Sequence, residues 1–170
     1  MNDPHYILLP ANPLFIVFSL LVAFLLNLMP WGHTVGVPDF VALALVFWNI
    51  HQPRKVGISV AFLMGLLMDV NEATLLGENA LAYTLLSYFA IMIHRRVLWF
   101  PLRTQALHVL PLLLLTQAVQ LLIQLLVTGK FPHWFYFSES FVSAILWPLV
   151  SALLLAPQRR AIDRDENRPI

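Results

Sequence analysis

Five acidic side chains stand out in a chain with few charges of any kind. Asp39, Asp69, Glu72, Glu78 and Glu139 sit at the edges of long apolar runs, and three of them share one stretch, AFLMGLLMDVNEATLLGENA, residues 61–80. Carboxylates so placed can cap helices, hold a partner or ligand, or act as acids and bases. Asp39, Glu78 and Glu139 fall in the first turns of the second, fourth and sixth apolar runs, where free backbone N–H groups and the helix dipole favour an anion. Glu72 reads as a solvated loop residue. Asp69 is different. It falls in the last turn of the third run, where the dipole disfavours negative charge, and it continues a small-residue seam into the bundle. It needs a partner: the Asn79 amide, the Tyr83 hydroxyl, or the exposed backbone N–H groups that begin the fourth helix. Capping that helix is one reading of Asp69, and a site for a periplasmic partner or ligand is the other.

Catalytic chemistry has little else to stand on. The chain holds no P-loop, HExxH, GxSxG or DxD-like pair, and His33 and His133 lie on separate loops. It has no cysteine, which excludes disulfides, thiolate nucleophiles, Cys-ligated zinc and iron–sulfur clusters. The sequence therefore predicts no enzyme, no cofactor, no metal and no nucleic-acid partner.

The elements that position these residues follow from composition. Of 170 residues 59% are hydrophobic and 11% charged, against about 25% charged in an ordinary soluble domain. Six apolar runs recur: Pro13–Met29, Pro38–Ile50, Val56–Val70, Glu78–Ile93, Ala106–Val127 and Ser138–Ala156. The reading is an all-α membrane protein, a bundle of six transmembrane helices over 13–156 between an N-terminal segment (1–12) and a tail (157–170). The first run lacks the basic flank and cleavage site of a signal peptide and reads as a retained helix. With six spans, Arg54, Lys55, Arg95, Arg96, Arg103, Arg159, Arg160, Arg164 and Arg168 fall on one side and only Lys130 on the other. That asymmetry places both termini in the cytoplasm.

Two runs are short. Residues 38–50 and 56–70 make helices of about 20–23 Å, against a hydrocarbon core of about 30 Å. Spanning with locally thinned lipid is preferred to a re-entrant hairpin, which would bring Arg54 and Lys55 to membrane depth. Small residues recur every four positions at Gly57, Ala61, Gly65 and Asp69, at Ser19, Ala23 and Asn27, and at Ala144, Pro148, Ala152 and Ala156. Such seams let helix backbones approach, inside the bundle or against another membrane protein. Pro148 adds a kink. Gln117, Gln120 and Gln124 share a face of the fifth helix and require polar partners or a wet cavity. The aromatic clusters at 97–100 and 131–137 suit interfacial anchoring, and the inner arginines suit anionic lipid.

The stretches PDFVALALVFWNIHQPRKVGISVAFLMGLLMDV, LLGENALAYTLLSY, FPLRTQALHVLPLLLLTQ and LWPLVSALLLAPQRR resemble the rod shape-determining protein MreD family in its proteobacterial form, over roughly residues 35 to 160. A Pro-Asp opening helix two, an Arg-x-x-Gly opening helix three, a Gly-x-x-x-Asp closing it and an Ala-x-x-Tyr on helix four carry the likeness together. The resemblance implies an inner-membrane component of the cell-elongation machinery, without catalytic activity. Its implied partners are MreC and, through it, MreB, RodA and the elongation penicillin-binding transpeptidase. It also implies a fold like the substrate-binding components of energy-coupling-factor transporters. The matching positions are Pro38, Asp39, Arg54, Gly57, Gly65, Asp69, Gly77, Asn79 and Tyr83. With Gln117 and Pro148, they are taken as structural or partner-facing. The rival reading is a small-molecule-binding membrane protein whose outward pocket is lined by Asp69, Asn79, Tyr83 and the glutamine stripe.

Overall fold

The second helix is the axis of the molecule. In the computed structural model, which describes residues 6–8, 12–29, 36–129 and 134–161, α2 (Phe40–His51) is buried continuously from Val41 to Ile50. Its sequence, FVALALVFWNIH, is apolar on every face from Phe40 to Trp48, as a helix enclosed by protein should be. Around it stand α1 (Pro13–Leu28), α4 (Glu78–Leu98) and α6 (Ser138–Leu155), each packed against it. Next in the wall come α3 (Gly57–Glu72), which packs chiefly on α4, and α5 (Leu102–Thr128), which lies between α4 and α6. All six runs become helices, with ends shifted by a few residues. Among the described residues, Thr104–Thr128 and Ser138–Gln158 are each long and apolar enough to cross a bilayer.

The enclosure of α2 changes the account of its length. Thinned lipid was expected to accommodate a short span, but protein surrounds this helix and its length need not match the hydrocarbon. At 1.5 Å per residue α2 extends about 18 Å and α5 about 40 Å. The short axis therefore leaves room at the bundle's end.

Two polar links hold α2 in place. Trp48 donates from Nε1 to Ser19 Oγ on α1 at 2.8 Å, and Asn49 donates from Nδ2 to Ser87 Oγ on α4 at 2.8 Å. Beside them α3 and α4 meet backbone to backbone. A Cβ on Gly65 would lie 2.3 Å from Ala80 Cα and 2.7 Å from the Asn79 carbonyl, so only glycine permits this approach. Gly57, on the same spacing, is not part of that contact. It has φ +58° and open space around its missing Cβ, so it serves the left-handed turn into α3, while Arg54 is exposed beside it.

The expected all-α fold gains one small sheet. β1 (Tyr6–Leu8) pairs antiparallel with β2 (Arg159–Ala161), in the register Tyr6 to Ala161 and Leu8 to Arg159. The segments flanking the bundle are thus joined and lie at the same end, as suits an even number of helices. The opposite end, where α2, α4 and α6 begin, carries the carboxylates and is called the acidic end below.

Candidate functional site at the acidic end of the bundle

Asp69 is 1% exposed and caps α4. Its Oδ1 accepts from the Asn79 N–H at 2.7 Å, and its Oδ2 from the Gly77 N–H at 2.7 Å and the Ala80 N–H at 3.4 Å. Thr74 adds a hydroxyl at 3.4 Å. The carboxylate at the unfavourable end of α3 is thereby placed at the favourable end of α4, where the dipole and unsatisfied N–H groups attract it. Gly77, at φ +106°, makes the left-handed turn that points those N–H groups back. Of the three partners expected for Asp69, only the backbone is used. The Asn79 amide turns away to donate to Glu72 Oε2 at 3.1 Å, and the Tyr83 hydroxyl goes elsewhere. Glu72 closes α3 as its last helical residue instead of lying in a loop; it is exposed, as expected, but has Asn79 as a partner.

A second carboxylate organises α2. Asp39 is the residue just before that helix, not within its first turn, and its Oδ1 accepts from the Ala42 N–H at 2.9 Å. Asn27 at the end of α1 donates to the same oxygen at 2.9 Å and accepts the Phe40 N–H at 3.0 Å. Tyr83 donates to Asp39 Oδ2 at 2.6 Å. Three helices are therefore tied at one carboxylate, with Pro38 in the extended approach to it. Asn27 was visible in the sequence only as the last member of a small-residue seam. An amide at the end of an apolar helix was the available signal.

The glutamine stripe on α5 supplies the third set of links. Gln117 donates to Glu139 Oε2 at 3.2 Å and to the Tyr136 carbonyl at 3.1 Å, and Ser140 donates to its Oε1. Gln120 donates to Asn79 Oδ1 at 2.6 Å and accepts from the Tyr136 hydroxyl at 3.4 Å. Tyr136 lies in a 3-10 helix, Trp134–Phe137, ahead of α6. Burial, reinforced by nearby Glu139, pushes its hydroxyl well above the ordinary tyrosine range and keeps it a donor. Above these links opens a cavity of about 280 Å³, lined by residues of α1, α3, α4, α5 and α6 and by the segment leading into α2. Asp39, Asn79 and Tyr83 line it; Asp69 lies behind its wall, and Gln117 one layer deeper. Gly57, Arg54 and Pro148 are not in this site.

No three of the described His, Asp and Glu side chains are grouped as a metal site. Each described histidine, His51, His94 and His108, bonds a main-chain carbonyl of its own helix. The arrangement fastens helices and encloses a polar cavity.

A core helix wrapped by apolar helices, two of them of membrane-crossing length, with carboxyl groups gathered at one end, is compatible with a membrane-embedded helical bundle. Its sequence says which kind. Residues 11–156 match the family described as rod shape-determining protein MreD, and the chain belongs to that family. It is 30% identical over 145 residues to the rod shape-determining protein MreD of Haemophilus influenzae, covering 82% of this chain and 87% of that one. No solved structure matches the chain. Family membership assigns it a role in determining rod shape.

Proposed function

We propose that this protein is a non-enzymatic inner-membrane component of the cell-elongation machinery, which organises peptidoglycan synthesis by binding MreC. Through MreC it would reach MreB, RodA and the elongation transpeptidase. The nine-to-one distribution of cations supports six spans with cytoplasmic termini, and the pairing of β1 with β2 agrees with an even count. The acidic end then faces the periplasm. A six-helix unit with such a cavity also suits the proposed likeness to energy-coupling-factor substrate-binding components.

One observation carries the docking proposal. The small-residue seam of α6 divides at Pro148: Ala144 is buried inside the bundle, whereas Ala152 and Ala156 are exposed beside Leu149 and Leu153. On α1, by contrast, Ser19 and Ala23 are buried. An exposed small-residue surface in lipid lets a partner helix come close. Ala152→Leu is expected to leave the protein monodisperse but unable to co-purify with MreC or restore rod shape, and Ala23→Leu to unfold it. Retention of MreC by folded Ala152→Leu overturns the docking face.

The cavity favours a second reading, a ligand-binding component of the membrane. A stoichiometric small molecule bound there, with MreC retained by every folded seam variant, would replace the adaptor reading.

A further inference from the structure

We propose that the cavity at the acidic end is a receptor for an organic cation, an alkylammonium or alkylguanidinium group. The proposal is independent of the docking face on α6, which lies toward the other end of the bundle.

Four carboxyl groups line the cavity, from Asp39, Glu72, Glu78 and Glu139, and no lysine or arginine among the described residues does. Their partners among the described residues are all neutral. Asp39 is held by an amide, a backbone N–H and a phenol, and Glu72 and Glu139 each receive one side-chain amide. Glu78 is 7% exposed and receives no hydrogen bond from another side chain among the described residues. Asp39, Glu78 and Glu139 stand at the starts of α2, α4 and α6, where the helix dipoles offset part of this charge, whereas Glu72 stands at the end of α3 and has no such support.

A second observation points the same way from beneath. Ser143 is 1% exposed and its Oγ has no hydrogen-bond partner. It lines a small cavity of about 10 Å³ that shares Asp39, Gln120 and Glu139 with the larger one. Buried hydroxyls are nearly always satisfied. This orphan hydroxyl, which can donate and accept, leaves a polar group unsatisfied beneath the carboxyls, within reach of a ligand through the single water that a space of this size can hold. Ammonium and guanidinium bring three and five N–H donors with one positive charge.

Size and lining select an organic cation over a metal ion. The volume is near the lower end of small-molecule sites, about 300–1,000 Å³, and fits a group the size of an arginine side chain. The carboxyls are distributed around it on several helices and are not grouped as metal ligands. Tyr83 and Tyr136 add aromatic rings of the kind that attract organic cations. The cation could belong to a free amine or to a basic side chain of an extracytoplasmic protein segment.

The test uses the full chain in lipid nanodiscs and follows thermal unfolding and calorimetric titration with butylguanidinium, butylammonium, butanol and magnesium at constant ionic strength. Saturable stabilisation by the two cations and none by butanol is expected, with affinity weakened at least tenfold in Glu78→Gln and in Glu139→Gln. Butylguanidinium acting no better than sodium, equal binding by the doubly substituted protein, or tighter saturation by magnesium would each overturn the proposal. Should a variant fail to fold, the contrast between butylammonium and butanol in the unaltered protein still decides. Two further measurements on native membranes separate the sources. An amine mass retained in native mass spectrometry marks a free ligand. A carbodiimide cross-link from Glu72 or Glu78 to a lysine of another polypeptide marks a protein side chain.

Discussion

Removing the Asp69 carboxylate should loosen the acidic end by an amount the geometry bounds. Asp69→Ala deletes the acceptor of two 2.7 Å bonds, from the Gly77 and Asn79 N–H groups, and of two longer ones at 3.4 Å. Hydrogen bonds to a charged group contribute about 1.5–3 kcal/mol each, and a buried donor left without a partner costs about 1–3 kcal/mol. Asn79 is 3% exposed, so water replaces the carboxylate poorly there; half-buried Gly77 recovers part of its loss. Counting one short bond fully and the other in part gives about 2–4 kcal/mol. For a chain of this size, each kcal/mol moves the melting temperature by about 2–4 °C. A fall of roughly 5–15 °C is therefore expected in detergent, with Asp69→Asn in between because it keeps one oxygen. Glu72→Ala, which loses one bond at an exposed residue, should cost less than about 1 kcal/mol. A melting temperature for Asp69→Ala within about 2 °C of wild type would refute the capping account. If that variant also lost rod-shape complementation, Asp69 would instead be a partner contact.

Other perturbations separate the remaining parts. Gly65→Ala drives a methyl group into the Ala80 backbone and should abolish a native melting transition, whereas Gly57→Ala strains one left-handed residue and should cost only about 1–2 kcal/mol in denaturant unfolding. Tyr83→Phe removes one of three bonds to Asp39 and should lower stability by about 1–2 kcal/mol. Asn27→Ala removes the links to Asp39 and the Phe40 N–H and a long contact to Met68 Sδ, and should lower it more in the same assay. Because the chain has no cysteine, single cysteines report topology cleanly. Those at Thr34, Thr74 and His133 should react with an impermeant thiol reagent from outside, and those at Gln52, Thr104 and Asn167 should not. Outside labelling at Gln52 would favour the re-entrant pair.

The sequence made Asp69 legible because its difficulty is local: a carboxylate in the last turn of an apolar helix conflicts with the dipole wherever the helix goes. Its cap partner lay ten residues on and could be named. The Asp39 junction was not legible, since Asn27 and Tyr83 reach it across 12 and 44 residues and neither has a pattern that announces a pairing. Spacing also hides differences in cause. Gly57 and Gly65 occupy equivalent seam positions, yet one is needed for its φ and the other for a backbone contact. The helix count was readable from six apolar runs, but the centrality of α2 was not, because uniform apolarity does not say whether lipid or protein surrounds a helix. The cavity follows from that burial; the rival reading sets Asn79, Tyr83 and the glutamine stripe around an outward pocket, but it places Asp69 there and leaves out Asp39, Glu72, Glu78 and Glu139.

The position of α2 also bears on how the molecule is made. The ribosome delivers it second, while α4 and α6, which will enclose it, are still unsynthesised. At that stage the nascent chain offers the translocon a 12-residue segment carrying Asn49, too short to hold a stable place across lipid unaided. Its settlement must wait for the second half of the chain to arrive. On the proposed six-span topology, insertion would thus be completed backwards, with the late helices closing around an early one.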